Sequence, residues 1–352
     1  MKLEQSLPKR CLLLLLWTLS SCTNAPAATL QAPAASSTPT EDLRLGARVY
    51  LEEAFQAIEE QAYYAESVDW SALRAEVFER TAQVTDINEL HIQIQYALGK
   101  LRDDHSHMMT PEMAQEYWTG ESFMDFPEPW GELVDGRYGY IWMGGFASGS
   151  QEVTDDYASR LQQEVIDLDR QAPCAWVVDL RENNGGDIYA MVAGLGEVIG
   201  DGLVMQAVNR HGETDFQLHY RDGGAWVGDE VYAQAGDPGF SLSAPERPVL
   251  VLIGRGTRSS GEALSLAFRG DPYATLMGHE TSGMTSSNSR IELSDGALLF
   301  VTSSLIMDPN GQVYGGTIQP DIPFEQTSNS EELGTIPLEA LEWLQANAVC
   351  ED

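Results

Sequence analysis

Residues 249–268 read VLVLIGRGTRSSGEALSLAF. The apolar run Val249–Ile253 is typical of a short buried strand, and a turn of small residues leads from it into a helix over Ala263–Phe268. A serine at such a turn lies near the helix N-terminus, where the helix dipole and free N–H groups favour a developing negative charge. Ser259 is therefore a candidate nucleophile. Taken alone, this turn is explained better by Ser259 and Ser260 acting only as N-cap residues.

Further strands and helices are predicted on both sides of this stretch. An apolar helical stripe follows the first strand, and a last helix is expected at about Leu338–Ala346. Asp295-Gly296 stands where a hairpin turn would lie. Strands that alternate with helices indicate an α/β layered core. The predicted strands are Tyr138–Met143, Ala175–Leu180, Ala274–Met277 and Ala297–Thr302, and the stripe is Tyr157, Leu161, Val165 and Leu168.

The N-terminal third of the predicted globular part is helical. A second helix is expected after Asp69-Trp70-Ser71, and Asp86–Glu89 has the spacing of a capping box that opens a third helix. We predict an N-terminal helical domain over residues 41–108, a connector over 109–136, a core over 137–327 and a C-terminal helical segment over 328–352.

The first 40 residues read as a leader and a tether. Three cationic side chains precede the apolar run Cys11–Leu19, which is too short for a membrane-spanning helix. The sequence LSSC that ends at Cys22 resembles the lipobox of bacterial lipoproteins, in which the cysteine is acylated. We therefore predict a lipoprotein signal peptide over residues 1–22 and a flexible linker over 23–40. The alternative is an ordinary signal peptide with a chance cysteine.

This leader implies a protein on the periplasmic side of a bacterial membrane, held there by its lipid. Thr23 after the acylated cysteine favours the outer membrane. Two cysteines remain in the mature chain, Cys174 and Cys350. In an oxidising compartment they could form a disulfide, and a pair of free buried thiols fits the sequence as well.

Composition and histidine spacing exclude several classes of partner. The chain carries 20 Lys and Arg against 54 Asp and Glu, a net charge of −34. Such a surface repels nucleic acid, so no nucleic-acid partner is expected. No pair of histidines has the spacing of a strong metal motif, and His105-Ser106-His107 lacks a clear third ligand. We therefore expect no metal and no cofactor.

Two other segments carry side chains suited to catalysis. Paired glycines, Gly185 and Gly186, follow the predicted strand that ends in Asp179-Leu180-Arg181, and paired glycines let N–H groups point at a ligand. His105 ends the predicted helical domain, and histidine is the usual base at neutral pH. In isolation the glycines could form only a tight turn, and His105 could be a surface loop residue.

Together and in this order, the three segments resemble the C-terminal processing and tricorn-like serine peptidases. Those enzymes carry Asp-x-His-(Ser/Thr), then Asp-Leu-Arg-x-Asn-x-Gly-Gly, then Thr-x-Ser-x-(Ser/Gly)-Glu. The resemblance covers most of residues 45–325. It implies a crotonase-like, strand-strand-helix superhelical core. It also implies Ser259 as nucleophile, His105 as general base, and an oxyanion hole from the N–H groups of Ser260 and of Gly185 or Gly186.

Three departures from the family pattern shape the prediction. Met284 stands where the processing branch has its lysine base, so a Ser-Lys dyad is excluded there and the base role falls to His105, with His107 as the fallback. Gln319 stands where relatives often place a glutamate that orients the histidine. The alternatives for that role are Asp104 and Asp321. The interval between Thr110 and Gly136 is too short for a PDZ domain.

The resulting prediction is a secreted, lipid-anchored serine endopeptidase or carboxyl-terminal processing-type peptidase that acts on peptides or unfolded proteins. One alternative is a weak or inactive relative that binds apolar ligands or peptides. A second alternative is a scaffolding lipoprotein that recruits a separate peptidase. Reactivity of Ser259 towards a fluorophosphonate separates the peptidase from the binding protein. A partner found by pull-down, with activity that survives Ser259→Ala, would indicate the scaffold.

Overall fold

The apolar run at 249–253 forms β9, an interior strand of a six-stranded sheet. All five of its residues are buried. A parallel strand that is covered on both faces needs apolar side chains at every position, which explains the continuous run. This computed structural model describes residues 41–84, 86–121, 126–325 and 334–350.

Eight α-helices and thirteen strands are found in the described residues. The helices are α1 (Glu41–Gln61), α2 (Trp70–Arg80), α3 (Ile87–Gly99), α4 (Pro111–Thr119), α5 (Gln151–Asp169), α6 (Ile188–Ile199), α7 (Ser260–Ala267) and α8 (Leu338–Asn347). The strands are β1 (His107–Met109), β2 (Trp130–Val134), β3 (Tyr138–Trp142), β4 (Ala175–Asp179), β5 (Gly202–Asn209), β6 (Thr214–Arg221), β7 (Gly224–Val227), β8 (Glu230–Gln234), β9 (Val249–Ile253), β10 (Ala274–Gly278), β11 (Ser286–Glu292), β12 (Leu298–Met307) and β13 (Ile322–Pro323).

The six-stranded sheet is the layer that positions the candidate nucleophile. Its strand order is β13-β10-β9-β4-β3-β2, with only β2 antiparallel to its neighbour. Val251 and Ile253 face a core shared with α5, α6 and α7. Leu250 and Leu252 face the opposite core, which contains Leu344 of α8. Helices on both faces of a mostly parallel sheet confirm the predicted α/β layering.

The second sheet has seven strands and is antiparallel throughout. Its order is β1-β12-β5-β6-β7-β8, and β11 pairs with β12 outside this path. Asp295-Gly296 lies in the turn between β11 and β12, as the hairpin prediction required.

Helices α1, α2 and α3 pack on this antiparallel sheet. Their buried apolar cluster includes Leu299 and Val301 of β12. The described residues belong to one compact unit, and the domain boundaries at 108 and 136 stay a prediction. The segment predicted as a connector contains α4 and β2.

Cys174 and Cys350 form a disulfide, with 5.1 Å between their Cα atoms. Of the two alternatives left open by the sequence, the structure has the disulfide. It joins the residue before β4 to the segment after α8, and both cysteines pack against the core that α8 covers. The bond therefore ties the C-terminal helix to the six-stranded sheet.

The predicted signal peptide 1–22, the acylated Cys22 and the linker 23–40 lie outside the described residues. Among the helices that the structure does describe, none has the length and apolar character needed to cross a bilayer. The lipid anchor stays a prediction.

Candidate active site

Two turns meet at one edge of the six-stranded sheet. Because β4 and β9 are parallel neighbours, the turns that follow them leave the sheet at the same edge. Thr257 Oγ1 donates to the carbonyl of Leu180 at 2.7 Å, which fastens one turn to the other. A Cβ on Gly185 would lie 2.7 Å from Cβ of Ser259. Glycine at 185 thus permits the close approach of the glycine turn to the candidate nucleophile.

Side chains of the Asp-Leu-Arg motif support the turn that contains Gly185 and Gly186. Arg181 Nη2 and Asp179 Oδ2 form a buried ion pair at 2.6 Å, and Tyr140 OH donates to the same oxygen at 2.6 Å. Asn183 continues the support: its Nδ2 donates to the carbonyl of Gly144, and its Oδ1 accepts from the N–H of Gly185, both at 3.0 Å. These side chains shape the turn.

Ser259 has an unusual backbone conformation for a residue that caps a helix. It is the N-cap of α7 with φ 50° and ψ −118°, whereas N-cap residues usually have extended dihedral angles. Its Oγ lies 2.9 Å from Nε2 of His105. The hydroxyl therefore points at a base, which an N-cap role alone does not explain.

The backbone of Ser259 is held by a buried carboxylate. Glu262 is fully buried, and its Oε2 accepts from the N–H of Ser259 at 3.0 Å. Its other oxygen accepts from the N–H of Gly283 at 2.8 Å and from the hydroxyl of Thr281. Burial raises the pKa of Glu262, and these hydrogen bonds lower it again. Glu262 thereby joins the nucleophile turn to the loop that carries Met284.

His105 reaches the site from the segment between α3 and β1. Asp103 Oδ1 accepts from the N–H groups of His105 and Ser106, at 3.1 and 2.8 Å, and so fixes the turn. The second ring nitrogen, Nδ1, lies 2.7 Å from Oγ of Ser286. Both nitrogens of the half-buried ring therefore have a hydroxyl partner.

The surroundings of His105 favour the neutral imidazole. The pKa of His105 is lowered to about 4, mainly by burial and also by the nearby His107, while the carboxylate of Asp103 opposes the shift. The ring is uncharged at neutral pH as a result. A neutral ring can take a proton from Ser259, as a general base must.

The structure does not place Gln319 beside His105. The exposed Gln319 donates its amide to Oε2 of Glu280 at 3.2 Å and to Oγ1 of Thr317 at 3.3 Å. Ser286 occupies the position at Nδ1 that the prediction assigned to residue 319. The expectation that Gln319 orients the histidine is therefore wrong on geometry.

The substitutes proposed from sequence are also placed elsewhere. Asp321 binds the guanidinium of Arg269 and accepts from the N–H of Leu276 at 2.9 Å. Asp104 is exposed and has φ 53°. The fallback base His107 donates Nδ1–H to the carbonyl of His105 at 3.0 Å, and its ring stacks on Phe300.

Three backbone N–H groups were predicted to form the oxyanion hole. Ser260 opens α7, so its N–H belongs to the first helical turn, which lacks intrahelical acceptors. The N–H of Gly185 already donates to Asn183 Oδ1. Gly186 has φ 117°, and a Cβ there would lie 1.9 Å from the carbonyl oxygen of Phe146. The N–H groups of Ser260 and of one of the two glycines stay the predicted donors.

Within the described ranges, no three His, Cys, Asp or Glu residues converge in a way that could hold a metal ion. His105 and His107 are near neighbours, and each ring is engaged as described above. The groups that meet at this site are the hydroxyl of Ser259, the imidazole of His105 and backbone N–H groups.

Comparison with known proteins agrees with this arrangement. The sequence profile of peptidase family S41 matches residues 137–324, more than half of the chain. The chain belongs to peptidase family S41. It is 26% identical over 300 residues to the nisin-resistance protein of Lactococcus lactis subsp. lactis, covering 84% of this chain and 86% of that protein. It is 27% identical over 220 residues to a carboxyl-terminal-processing protease of Synechocystis, covering 61% of this chain and 45% of that enzyme.

Solved structures share the fold. A lipoprotein from Streptococcus agalactiae superposes with a TM-score of 0.70 at 19% identity, over 86% of this chain and 96% of that one. The photosystem II D1 C-terminal processing protease superposes with a TM-score of 0.53 at 15% identity, over 79% and 93% of the two chains. These similarities show an S41 peptidase fold with mixed α/β content preceded by helices.

Two contributors to the S41 site were not identified from the sequence. Ser286 lies in a polar run, SSNSRIE, where no pattern separates one serine from another. Glu262 was recognised as part of a motif, but its carboxylate could be placed only once the loop around Gly283 was known. Both depend on the contact between α7 and the segment that leads into β11.

Proposed function

We propose that this S41 family member is a secreted, lipid-anchored serine peptidase in which Ser259 attacks the scissile bond and His105 is the general base. The observation that carries the proposal is the 2.9 Å contact between Ser259 Oγ and His105 Nε2 at the N-terminus of α7. Nucleophile and base within hydrogen-bond distance, with the base held by a third group, is the arrangement that nucleophilic catalysis needs.

The reaction follows from this geometry. Oγ of Ser259 forms a bond to the carbonyl carbon of the substrate while its proton passes to Nε2 of His105. The imidazolium then gives that proton to the leaving amine, the C–N bond breaks, and an acyl-enzyme remains. Water, deprotonated by His105, attacks the ester, releases the second product and restores the serine.

The oxyanion of each tetrahedral intermediate requires N–H donors. Ser260 and Gly186 provide them in this proposal, assisted by the dipole of α7 at its N-terminus. Removing one such donor typically lowers the rate by about 10²–10³. The neutral state of His105 at physiological pH leaves it ready to accept the first proton.

The relatives indicate which substrates to try. Two curated relatives are named as a nisin-resistance protein and as a carboxyl-terminal-processing protease. We propose peptides or the C-terminal ends of proteins as substrates, with nisin itself as one candidate. The acidic surface supports a peptide substrate over nucleic acid, since 54 acidic residues would repel phosphates. A periplasmic, outer-membrane location through Cys22 and a crotonase-like core belong to the same proposal.

A second candidate function is peptide binding without turnover. It is favoured by the partner of Nδ1 of His105, which is the hydroxyl of Ser286. A hydroxyl cannot stabilise the imidazolium by charge, so catalysis would be weaker than with an acid. A scaffolding lipoprotein that recruits a separate peptidase would likewise hydrolyse no peptide itself.

Fluorophosphonate labelling of residues 23–352 followed by mass mapping tests the proposal. We expect the label on Ser259, its loss in Ser259→Ala, and its near loss in His105→Ala, because the two residues act as one unit. His107→Ala is the matched control and should label normally. A folded wild-type protein that takes no label would refute the peptidase and favour the binding function.

A further inference from the structure

Two parts of the molecule border the contact between Ser259 and His105. On the core side, Ser260 Oγ donates to the carbonyl of Gly186 at 2.7 Å, and α6 begins soon after that glycine. On the opposite side, Asn288 Nδ2 of β11 donates to the carbonyl of His105 at 3.4 Å. The first turn of α6 and the side chains of β11 beyond Asn288 therefore both lie next to the reaction centre.

An arginine and two aromatic residues of α4 line the side formed by β11. Arg290 follows Asn288 by two positions, so both side chains lie on the same face of the strand. Arg290 Nη1 donates to the hydroxyl of Tyr117 at 3.1 Å, and its guanidinium lies 4.4 Å from the ring centroid of Trp118. The two rings meet edge to face, with 5.2 Å between their centroids. We call these three side chains the Arg290 cluster.

The Arg290 cluster is fixed against the core and still open to solvent. The N–H of Gly149 donates to the carbonyl of Tyr117 at 2.8 Å. A Cβ on Gly149 would lie 2.5 Å from the ring of Trp118, so the glycine lets α4 approach the core loop closely. Trp118 is nevertheless 39% exposed, and Arg290 is exposed as well. Aromatic surface that is held in place and exposed is available to a ligand.

Two stacked tyrosines lie on the core side. Tyr189 belongs to the first turn of α6, and its ring stacks on that of Tyr232 of β8 with 4.6 Å between the centroids. The pKa of Tyr189 is raised to about 12, mainly by burial and also by the charge of Asp187, while the positive charge of Arg290 opposes the shift. Charges farther apart than about 10 Å are largely screened, so Arg290 acts on Tyr189 from nearby. The tyrosine pair and the Arg290 cluster therefore border one cleft.

The groups in this cleft suit an aromatic ring. No carboxylate of the described residues lies within ion-pair distance of Arg290, although the chain has 54 Asp and Glu. A guanidinium that stacks on Trp118 by one face can stack on a second ring by the other. The exposed ring of Tyr232 adds aromatic surface opposite. A carboxylate would engage only the guanidinium, whereas an aromatic ring engages all of these groups.

We propose that the Arg290 cluster and the stacked pair of Tyr189 and Tyr232 form a subsite for an aromatic side chain of the substrate, which selects the bond that is cut. One turn of α6 leads from the glycine turn to Tyr189, and a helical turn rises about 5.4 Å. An extended peptide covers that distance in about two residues, so the aromatic residue is expected about one to three residues from the scissile bond. This inference rests on the peptidase function proposed above.

The experiment uses a series of peptides made of alanine and serine, each with a single phenylalanine that moves by one position from peptide to peptide. Both ends are blocked, so terminal charges contribute nothing, and mass spectrometry of the products locates the cut. We expect the cut to move with the phenylalanine at a fixed offset. We also expect kcat/KM to be about tenfold higher than for the peptide with alanine in its place. Cuts that do not follow the phenylalanine would overturn the subsite and leave the peptidase in place.

Variants on both sides of the cleft should weaken this preference. Trp118→Leu, Arg290→Gln and Tyr232→Leu should each lower the phenylalanine-to-alanine ratio of kcat/KM from about ten to about three or less, because each removes a stacking partner. The matched control is Arg221→Gln. Arg221 is also an exposed arginine stacked on a tryptophan, with its guanidinium 4.3 Å from the ring of Trp226, but it lies on β6. This control should keep the full ratio. A full ratio in Trp118→Leu or Arg290→Gln would refute the assignment.

A binding measurement separates the two proposals. Ser259→Ala removes the nucleophile and should bind the phenylalanine peptide about tenfold more tightly than its alanine counterpart, with most of the difference lost when Arg290→Gln is added. If the wild type cuts neither peptide but this binding difference is present, the subsite stands and the peptidase function falls. Equal binding of both peptides to Ser259→Ala would refute the subsite without any reference to catalysis.

Discussion

Replacing Ser286 tests how His105 is held in its reactive form. Ser286 Oγ lies 2.7 Å from Nδ1, and Ser259 Oγ lies 2.9 Å from Nε2. If Nδ1–H donates to Ser286, Nε2 keeps its lone pair for the proton of Ser259. Ser286→Ala removes this hydrogen bond, which is worth about 0.5–1.5 kcal/mol. We expect kcat/KM to fall about two- to tenfold, since about 1.4 kcal/mol corresponds to a factor of ten.

Ser286→Asp should act in the opposite direction. A carboxylate beside Nδ1 stabilises the imidazolium, so it raises the pKa of His105 from its value of about 4. Protonation of the free enzyme's base abolishes activity, so kcat/KM of the wild type should fall as the pH drops through about 4. In Ser286→Asp this acid limb moves to higher pH, and the plateau above it rises.

The assay is kcat/KM against pH for a fluorogenic peptide, from below the acid limb to above neutrality. Ser287→Ala is the matched control, because Ser287 is the next residue of β11 and successive side chains of a strand alternate between its two faces. It should leave both the limb and the plateau unchanged. An unaltered profile in both Ser286 variants would refute the assignment of Ser286 as the positioning residue.

Three further expectations follow from named contacts. Gln319→Glu should leave kcat/KM within about twofold of the wild type, because residue 319 contacts Glu280 and Thr317 and a remote charge is screened. A large gain in kcat/KM would indicate that residue 319 does act on His105. Gly185→Ala should lower fluorophosphonate labelling about a hundredfold or more, because its Cβ would lie 2.7 Å from that of Ser259 at φ 98°; normal labelling would contradict this. Cys174→Ser should cost about 2–4 kcal/mol of unfolding free energy in urea while labelling persists; an unchanged midpoint would contradict it.

The central strands could be predicted because burial on both faces leaves a simple signal. β9 has the predicted bounds, 249–253, and β4 and β3 begin at the predicted residues, Ala175 and Tyr138. Each is buried at every position. A continuous apolar run flanked by glycine needs no tertiary information to be recognised as a strand.

The antiparallel strands between 202 and 234 were not predicted, and neither was α6. β6 has only two buried residues, Leu218 and Tyr220, so its apolar signal is weak. α6 was missed for a different reason. It is buried on nearly all sides, so no polar face marks it as a helix, and it contains Gly194 and Gly196. A Cβ on Gly196 would lie 2.0 Å from the ring of Tyr220, so this glycine serves packing against β6. Such a contact cannot be read from the helix sequence.

The motifs predicted which residues meet, and long-range register decided how His105 is supported. The three segments that carry Ser259, the paired glycines and His105 do come together in the structure. The partner of Nδ1 comes instead from β11, whose position follows from its pairing with β12 over seven residues. This register depends on the sequences of both strands and on the loop around Gly283 that Glu262 binds. A single motif therefore does not specify the register.

Strain around the reaction centre supports a role for Ser259 beyond its capping of α7. Ser259 has φ 50°, and Arg102 and Asp104, which flank the turn into His105, have φ 58° and 53°. Each such residue costs on the order of 1–3 kcal/mol and persists only where its surroundings enforce it. Glu262 accepts from the N–H of Ser259, and Asp103 accepts from the N–H of His105, which follows the strained Asp104. An N-cap would be satisfied by an extended residue without strain. The strained form is the one that turns the hydroxyl towards His105, so the strain is best understood as serving the contact between the two side chains.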